Sequence, residues 1–568
     1  MEASAVKTDL DAMLAGLSPS PRRRTTTQKS VPPVARRQSK PDSSAAASVM
    51  SPDSGASIRI VQIEGDGDLA KVCDEVEHLL LQASAPVYQR GGILVRVIDE
   101  AGAIRGLERD PGAPRILPFD DLSLADLVNR HLEVHRRNRK TWKLERVDCP
   151  RVVAQTILAR KEWGFRRLES VVEHPILLLS GEVLWESQYH EPTGLLLQLP
   201  FAEFQSPLDS PSPDEINGAL SELLWLLEGF DFVSNLDESV ALAFLLTAFV
   251  RPVLPTCPAF AIDAHAAGSG KSTLVRMQSR MATGREPAFL TYRDDPAELQ
   301  KLLFAALLEG DQNIAIDNID IPLAGADLAV ILTSPMYRGR ILGQSTNASV
   351  PTKAVISFNG NNLQIVGDQT RRVLVSRLDP SCERPAERSF AFNPVHEVKE
   401  RRSEYVQAAL TIMSGYIASG QRVELRPFGS FEEWSRVVRE ALVWMGLPDP
   451  VDSIRVLEAA DPERMQLSAM VQAVYDAFGT NEFKAAGLVQ ATRSTQQGSL
   501  DGRPGVSAEQ AEGLQEALRS VCERNGELNV KALGRWLLRA QGRIAQGLRF
   551  MQCRQTKTGA MWRVHGSE

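Results

Sequence analysis

Lys271 stands in the run Ala259-Phe-Ala-Ile-Asp-Ala-His-Ala-Ala-Gly-Ser-Gly-Lys-Ser-Thr-Leu-Val-Arg276, and its neighbours decide what chemistry it can do. A short apolar strand stops at Asp263 and Ala264, a glycine loop follows, and an apolar helical pattern starts at once. Backbone amides of such a loop, with the positive end of the helix behind them, form a cradle for phosphate oxygens. Ala267, Gly268, Ser269, Gly270, Lys271, Ser272 and Thr273 are therefore candidate contacts for the phosphates of ATP. Lys271 can reach the β- and γ-phosphates as a point charge, and the Ser272 hydroxyl can ligate Mg²⁺. Gly268 and Gly270 permit backbone conformations and a close approach that a Cβ would obstruct. The first glycine of the usual pattern is replaced by His265, which reads as a tolerated loop residue.

Three further segments add to the loop. Asn313-Ile-Ala-Ile-Asp317 is a buried-strand pattern ending in an acid, 46 residues after Lys271. An aspartate there can hold the water shell of a magnesium ion at the carboxyl edge of a parallel sheet. The next residue is Asn318, so the acid that activates water is Asp317 or Asp320, or hydrolysis is slow. Lys353-Ala-Val-Ile-Ser-Phe-Asn-Gly-Asn-Asn362 is another apolar strand ending in amides. Asn359 is the first candidate there to sense a γ-phosphate, and Asn361 the second. Arg371 and Arg372 precede a last strand and could stabilise charge on a phosphoryl group bound to a neighbouring subunit; a solvated arginine pair is the alternative.

In order and spacing these segments resemble the AAA+ ATPase core of superfamily III-type replicative helicases and primase-helicases of phages, plasmids and integrated elements. The resembling stretch runs from about Pro213 to Pro450. The resemblance implies an α/β P-loop NTPase core with a helical lid. It implies a homo-oligomeric ring, a hexamer, that hydrolyses ATP with Mg²⁺ to move along single-stranded or forked DNA. It also implies a channel hairpin ahead of the sensor strand, which makes Arg338 and Arg340 candidate strand contacts, with solvated arginines as the equal alternative. No Asp-x-Asp pair sits in a polymerase setting, so a primase would be a separate partner.

With 568 residues, the chain is expected to form several domains. Its formal charge of −7 attracts no nucleic acid globally, so DNA contacts must be local patches. The six cysteines are scattered and the eight histidines lack metal spacing, which fits a cytoplasmic protein without a zinc module or disulfide framework. The longest apolar run, Val240–Val250, is too short to span a bilayer and reads as a buried helix.

Residues 1–57, rich in Ser, Pro and Ala with arginine clusters, read as a disordered basic tail. A mixed α+β N-terminal domain is expected over 58–200, with a strand at Gly92–Ile98 and a helix at Leu124–His135. Arg136, Arg137, Arg139, Lys140, Lys143 and Arg146 surround Trp142, which suits either a strand-binding groove or a solvated helix face. The ATPase core is placed at 201–385 and the helical lid or linker at 386–478, including a helix over Glu397–Ala418 and a capping box at Ser430-Phe-Glu-Glu433. From Asn529 to Glu568 there are eight Lys or Arg and one acid, a local charge of +7. A basic helix followed by an alternating hairpin resembles a winged helix over 479–568. Lys531, Arg535, Arg539 and Arg543 on the helix, with Arg554 and Lys557 on the wing, are its candidate DNA contacts. Two rivals to a helicase stand beside it: an ATP-gated initiator or helicase loader that does not unwind, and an ATPase of phage defence or protein remodelling.

Overall fold

The computed structural model describes residues 59–566 except 65–66, 100–111, 201–202, 207, 209, 293–294, 342–346, 383, 389–390, 461, 493–505, 525 and 557–558. The expected tail at 1–57 and the candidate Lys557 lie outside the described residues.

Five apolar segments build a parallel sheet. They are β1 (Ala259–Ala264), β2 (Ala288–Thr291), β3 (Asn313–Ile319), β6 (Val355–Asn361) and β7 (Val373–Leu378). Between β3 and β6 an antiparallel hairpin, β4 (Met336–Arg340) and β5 (Asn347–Pro351), leaves the sheet. The strand order is β2-β3-β6-β1-β7 with every pairing parallel. Such strands must be covered on both faces, and their sequences accordingly lack alternation: Phe260, Ala261, Ile262, Ile314, Ala315 and Ile316 are all buried. Coverage comes from helices α1 (Pro213–Leu227), α2 (Asn235–Thr247), α3 (Lys271–Thr283), α4 (Pro296–Glu309) and α5 (Ala326–Thr333). In α2 every residue from Ser239 to Thr247 is buried, as suits a helix apolar all round. No described helix is long and apolar enough to cross a membrane.

The region expected as a helical lid departs from its foreseen elements at two places. The helix foreseen over Glu397–Ala418 is two, α6 (Pro394–Glu400) and α7 (Arg402–Ser419), broken at Arg401, whose φ of −123° is non-helical. The Ser430 capping box is not formed. Ser430 has φ +73° and its amide donates to Glu432 Oε1 at 3.1 Å rather than to Glu433, while the next turn starts after Phe431 with no side-chain cap bond. A reciprocal capping box does form at Ser212 and Glu215, opening α1.

The N-terminal region is mixed α+β, as its sequence suggests. Three helices (Leu69–Gln82, Asp121–His131, Arg151–Arg160) share a core with Val61, Leu94 and Val134 from two sheets. The helix expected to reach His135 stops at His131, and Glu133–Arg137 is a strand paired with Ile60–Ile63. Two buried arginines tie this region to helices α4 and α3. Arg90 donates to Leu168 O at 3.2 Å and to Leu307 O, in α4, at 2.9 Å. Arg402 donates to Met281 O at 3.0 Å and Ala282 O at 2.8 Å, and to Glu173 O at 2.8 Å. The first two are carbonyls of the last turn of α3, where a cation also meets the negative end of the helix.

At the C-terminus, helices Ala485–Ala491, Ala508–Cys522 and Val530–Ala540 pack with a three-stranded antiparallel sheet. Pro462–Phe478, assigned by sequence to the lid, gives Leu467, Met470, Val471 and Val474 to this core. Phe483 bridges Trp562 across the sheet edge.

The β4–β5 hairpin is clamped along both of its strands. Ser349 donates its amide to Gly91 O at 3.2 Å, and a Cβ on Gly339 would lie 2.3 Å from the Phe304 ring of α4. Gly339→Ala is therefore expected to destabilise the protein by about 1–3 kcal/mol through overpacking. Adding Phe304→Leu should recover part of that loss. Urea midpoints of the two single variants and the double variant check this; equal stability of Gly339→Ala and wild type contradicts it.

Candidate functional site

The carboxyl edge of the sheet gathers the chemistry. β1 lies between β6 and β7, both later in the chain, so a crevice opens where connections leave in opposite directions. The loop from β1 turns through Gly268 (φ +76°) and Gly270 (φ +98°) before α3 begins at Lys271. A Cβ on Gly270 would meet the Phe230 ring at 3.2 Å, so that ring seats the loop from behind.

Lys271 Nζ donates to Ala266 O at 3.0 Å, Ser269 Oγ at 3.1 Å and Asn361 Oδ1 at 2.7 Å. Burial pulls its pKa below the ordinary 10.5, against the opposing pull of Asp263 and Asp317. Ser272 Oγ donates to Asp317 Oδ2 at 3.4 Å. Asp317 Oδ1 accepts the Asn318 amide at 2.8 Å, and Asn318 has φ +58° at a register shift between Ile316 and Ile319. Asparagine tolerates this left-handed conformation better than most side chains, which gives a backbone reason for its presence after the aspartate.

A cavity of about 1030 Å³ opens over these groups, lined by residues 267–273, Asp317, Asn318 and Asn361. Its lining also includes Glu228, Phe230, Arg388, Phe392 and Asn393. Phe392 stacks on Trp225 with centroids 4.2 Å apart and planes 8° off parallel. This volume suits a nucleotide-sized ligand, with a polar floor and a partly aromatic wall. Among the described residues no group of three or more His, Cys, Asp or Glu could hold a metal. The Ser272–Asp317 oxygen pair nevertheless fits Mg²⁺, which takes one or two protein oxygens and completes its shell from phosphate and water.

Other candidates fall elsewhere. Asn359 lies inside β6 opposite Ile262, is 1% exposed and does not line the cavity. The strand runs three residues past its last apolar residue, Phe358, so Asn361, opposite Ala264, is the amide that reaches the lysine. His265 turns to Asp379, with Nδ1 3.4 Å from Oδ1, and Asp320 is exposed outside the lining. Arg371 and Arg372 both clamp Asp368, at 2.5 Å each. They precede Val373, which pairs with Ala259 at the amino end of β1, whereas the loop leaves from Ala264. The length of β7, six residues at ~3.3 Å each, separates them from their own chain's cavity.

Arg338 and Arg340 are exposed on β4. Lys531, Arg535 and Arg539 fall on one exposed face of Val530–Ala540. Arg543 faces Glu463 at 3.8 Å, and Arg554 pairs with Glu482 at 3.1 Å. Sequence reasoning missed Phe230, Arg388, Asn393 and the Trp225–Phe392 stack, which converge only through tertiary packing; Asn393 followed by Pro394 is a local helix-start pattern that says nothing of a cavity.

No family model matches the chain, and no curated protein matches it. Among solved structures, the apo C-terminal region of NrS-1 is similar at 13% identity and a TM-score of 0.38, over 86% of this chain and 98% of that one. An SCCmec type IV helicase, Cch, aligns at 12% identity and a TM-score of 0.32, over 85% of this chain and 97% of its own. The JCV helicase aligns at 12% identity and a TM-score of 0.20, over 41% and 74% respectively. Over the whole chain these likenesses are loose.

Lys271→Met keeps the aliphatic stem and deletes the cation. Affinity for a fluorescent purine triphosphate is expected to fall at least ~10-fold, since hydrogen bonds to charged groups contribute about 1.5–3 kcal/mol. The depressed pKa adds a pH signature. The wild-type ammonium loses its proton, and with it phosphate affinity, as pH rises, at a lower pH than an exposed lysine would. Titrations from pH 7 to about 10 should show that decline in wild type and not in Lys271→Met. Equal affinities at neutral pH contradict the assignment.

Proposed function

We propose that this chain is an ATP-hydrolysing motor of the AAA+ P-loop type that works as a homo-oligomeric ring on single-stranded or forked DNA. The observation that carries the reading is the meeting of Lys271, Ser272, Asp317 and Asn361 at the switch point of a parallel sheet. In this reading the amides of residues 267–273 bind the triphosphate and Lys271 exchanges its Ala266, Ser269 and Asn361 partners for phosphate oxygens. Release of Asn361 leaves its amide free to orient water beside the terminal phosphate. Ser272 and Asp317 would hold Mg²⁺, which when bound neutralises charge on the β- and γ-phosphates.

Asn318 lines the cavity and can hydrogen-bond water but cannot take a proton. Turnover then depends on positioning and on charge brought from outside. Arg371 fits that need. It is 58% exposed, its ion pair with Asp368 is a surface pair of small worth, and it cannot reach its own cavity. At a seam between subunits, Arg371 or the more buried Arg372 would reach a neighbour's triphosphate. The C-terminal helix face of Lys531, Arg535 and Arg539 and the arginines of β4 would hold the phosphodiester backbone. The hexamer, the separate primase, a mobile-element setting and a cytoplasmic location belong to the same proposal.

A second reading, an ATP-gated initiator or loader that does not unwind, draws on Asn318 alone. Strand displacement from a forked duplex separates the two: a motor opens it with ATP, and a loader does not.

Mixing tests the seam directly. Lys271→Met and Arg371→Ala/Arg372→Ala proteins should each hydrolyse ATP at least ~100-fold more slowly than wild type. A 1:1 mixture should regain activity, because about a quarter of the seams in a random ring join an intact loop to an intact arginine pair. A mixture no faster than its components contradicts the trans arrangement. Asn361→Ala should lower turnover by about 10²-fold while changing triphosphate affinity only a few-fold; quench-flow and binding titrations give the two numbers.

A further inference from the structure

The basic stretch around Trp142 is neither a helix face nor a groove. It is the tip of a β-hairpin formed by Glu133–Arg137 and Leu144–Val147, registered Arg136 to Glu145 and Arg137 to Leu144. The hairpin supplies the central and one edge strand of a three-stranded sheet, with Leu144–Val147 at the edge and Val134 buried in the helical core. Its loop is fixed by its own hydrogen bonds. Asn138 Oδ1 accepts the Lys140 amide at 2.9 Å and the Thr141 amide at 3.3 Å, while Nδ2 donates to both Glu145 oxygens at 2.8 and 3.0 Å. The Trp142 amide donates to Asn138 O at 2.8 Å, and Trp142 O accepts Arg137 at 3.0 Å.

Within this tightly bonded loop the tryptophan side chain is 72% exposed, more than any other large apolar side chain described. Its φ of +58° is a conformation that bulky residues rarely adopt, at a position where glycine or asparagine would cost nothing. The loop thus holds an indole ring in solvent where nothing in the chain's own packing calls for one. Around it, residues 133–147 carry six Lys or Arg and two Glu, a local charge of +4 in a chain of net −7. Arg137 and Arg146 pair with Glu64 and Glu133, at 3.3 and 2.9 Å. Arg136, Lys140 and Lys143 are exposed and have no acidic partner among the described residues.

We infer that this hairpin is a second contact for single-stranded nucleic acid. Trp142 stacks on an unpaired base, and Arg136, Lys140 and Lys143 neutralise the flanking phosphates. An exposed aromatic ring with unpaired cations beside it matches the two faces of such a strand, an apolar base and an anionic backbone. Duplex DNA fits less well, because its bases are already stacked on one another. The choice of a strand as partner rests on the motor reading above; the placement on the hairpin rests on its own residues.

The test uses the full chain and a fluorescein-labelled oligothymidylate, without nucleotide, read by anisotropy. Trp142→Ala should weaken binding about 5- to 100-fold, and Trp142→Phe should keep most of the affinity. Arg136→Gln/Lys140→Gln/Lys143→Gln should reduce the slope of log affinity against log salt by about 2, three phosphates at ~0.7 each. Purine-triphosphate binding should be unchanged in all three, which excludes misfolding. Wild-type affinity and salt slope in Trp142→Ala and in the triple variant would overturn the hairpin assignment while leaving the motor reading intact. Failure of the wild-type protein to bind the oligonucleotide at any salt would overturn both.

Discussion

One ammonium group organises this molecule. Lys271 sits half-buried at the carboxyl edge of a parallel sheet, between the carboxylates of Asp263 and Asp317 and under the amide of Asn361. Keeping a cation there requires acceptors from the loop and β6 and an opposing charge from β3, and the fold supplies them. β1 delivers the loop carbonyl of Ala266, β3 delivers Asp317 and β6 delivers Asn361. The strand order places β6 between β1 and β3, so the amide at its end falls between the loop and the aspartate. A slip of one residue in β6 would turn Asn361 to the other face of the sheet and leave the lysine one acceptor short.

Around that point the structure separates what must be rigid from what must be free. The loop is backed by Phe230, and the far end of α3 is held by Arg402, itself buried against Glu173 and Glu203. The same arginine, on α7, joins that helix and the N-terminal region to the helix that begins at Lys271. By contrast Arg371, the C-terminal helix face and the Trp142 hairpin present their charges to solvent. On the proposed reading these are the surfaces that meet a neighbouring subunit or a strand.

Much of the sheet and its loop was legible in the sequence, because short apolar runs ending in Asp263, Asp317 or an amide are local signals that burial on both faces enforces. Choosing between Asn359 and Asn361 was not, since it depends on where β6 pairs with β1, a register no local pattern states. The basic segment at 136–146 misled for a related reason: its Lys and Arg residues carry no periodicity of their own, and only pairing of Val134 with Val147 makes it a hairpin. The cavity-lining Phe230, Arg388 and Phe392, the last stacked on Trp225, were silent, being brought together from segments more than 150 residues apart. The broken helix at Arg401 and the missing cap at Ser430 show local propensity yielding to tertiary contacts, there with Glu222 and Thr256.

Coupling between the cavity and a nucleic-acid strand is the core of the account, and phosphate release measures it directly. With Mg²⁺ and saturating ATP, the wild-type rate should rise saturably as single-stranded oligonucleotide is added, and Lys271→Met should stay at the blank throughout. A wild-type rate indistinguishable from that blank, with or without oligonucleotide, would contradict it.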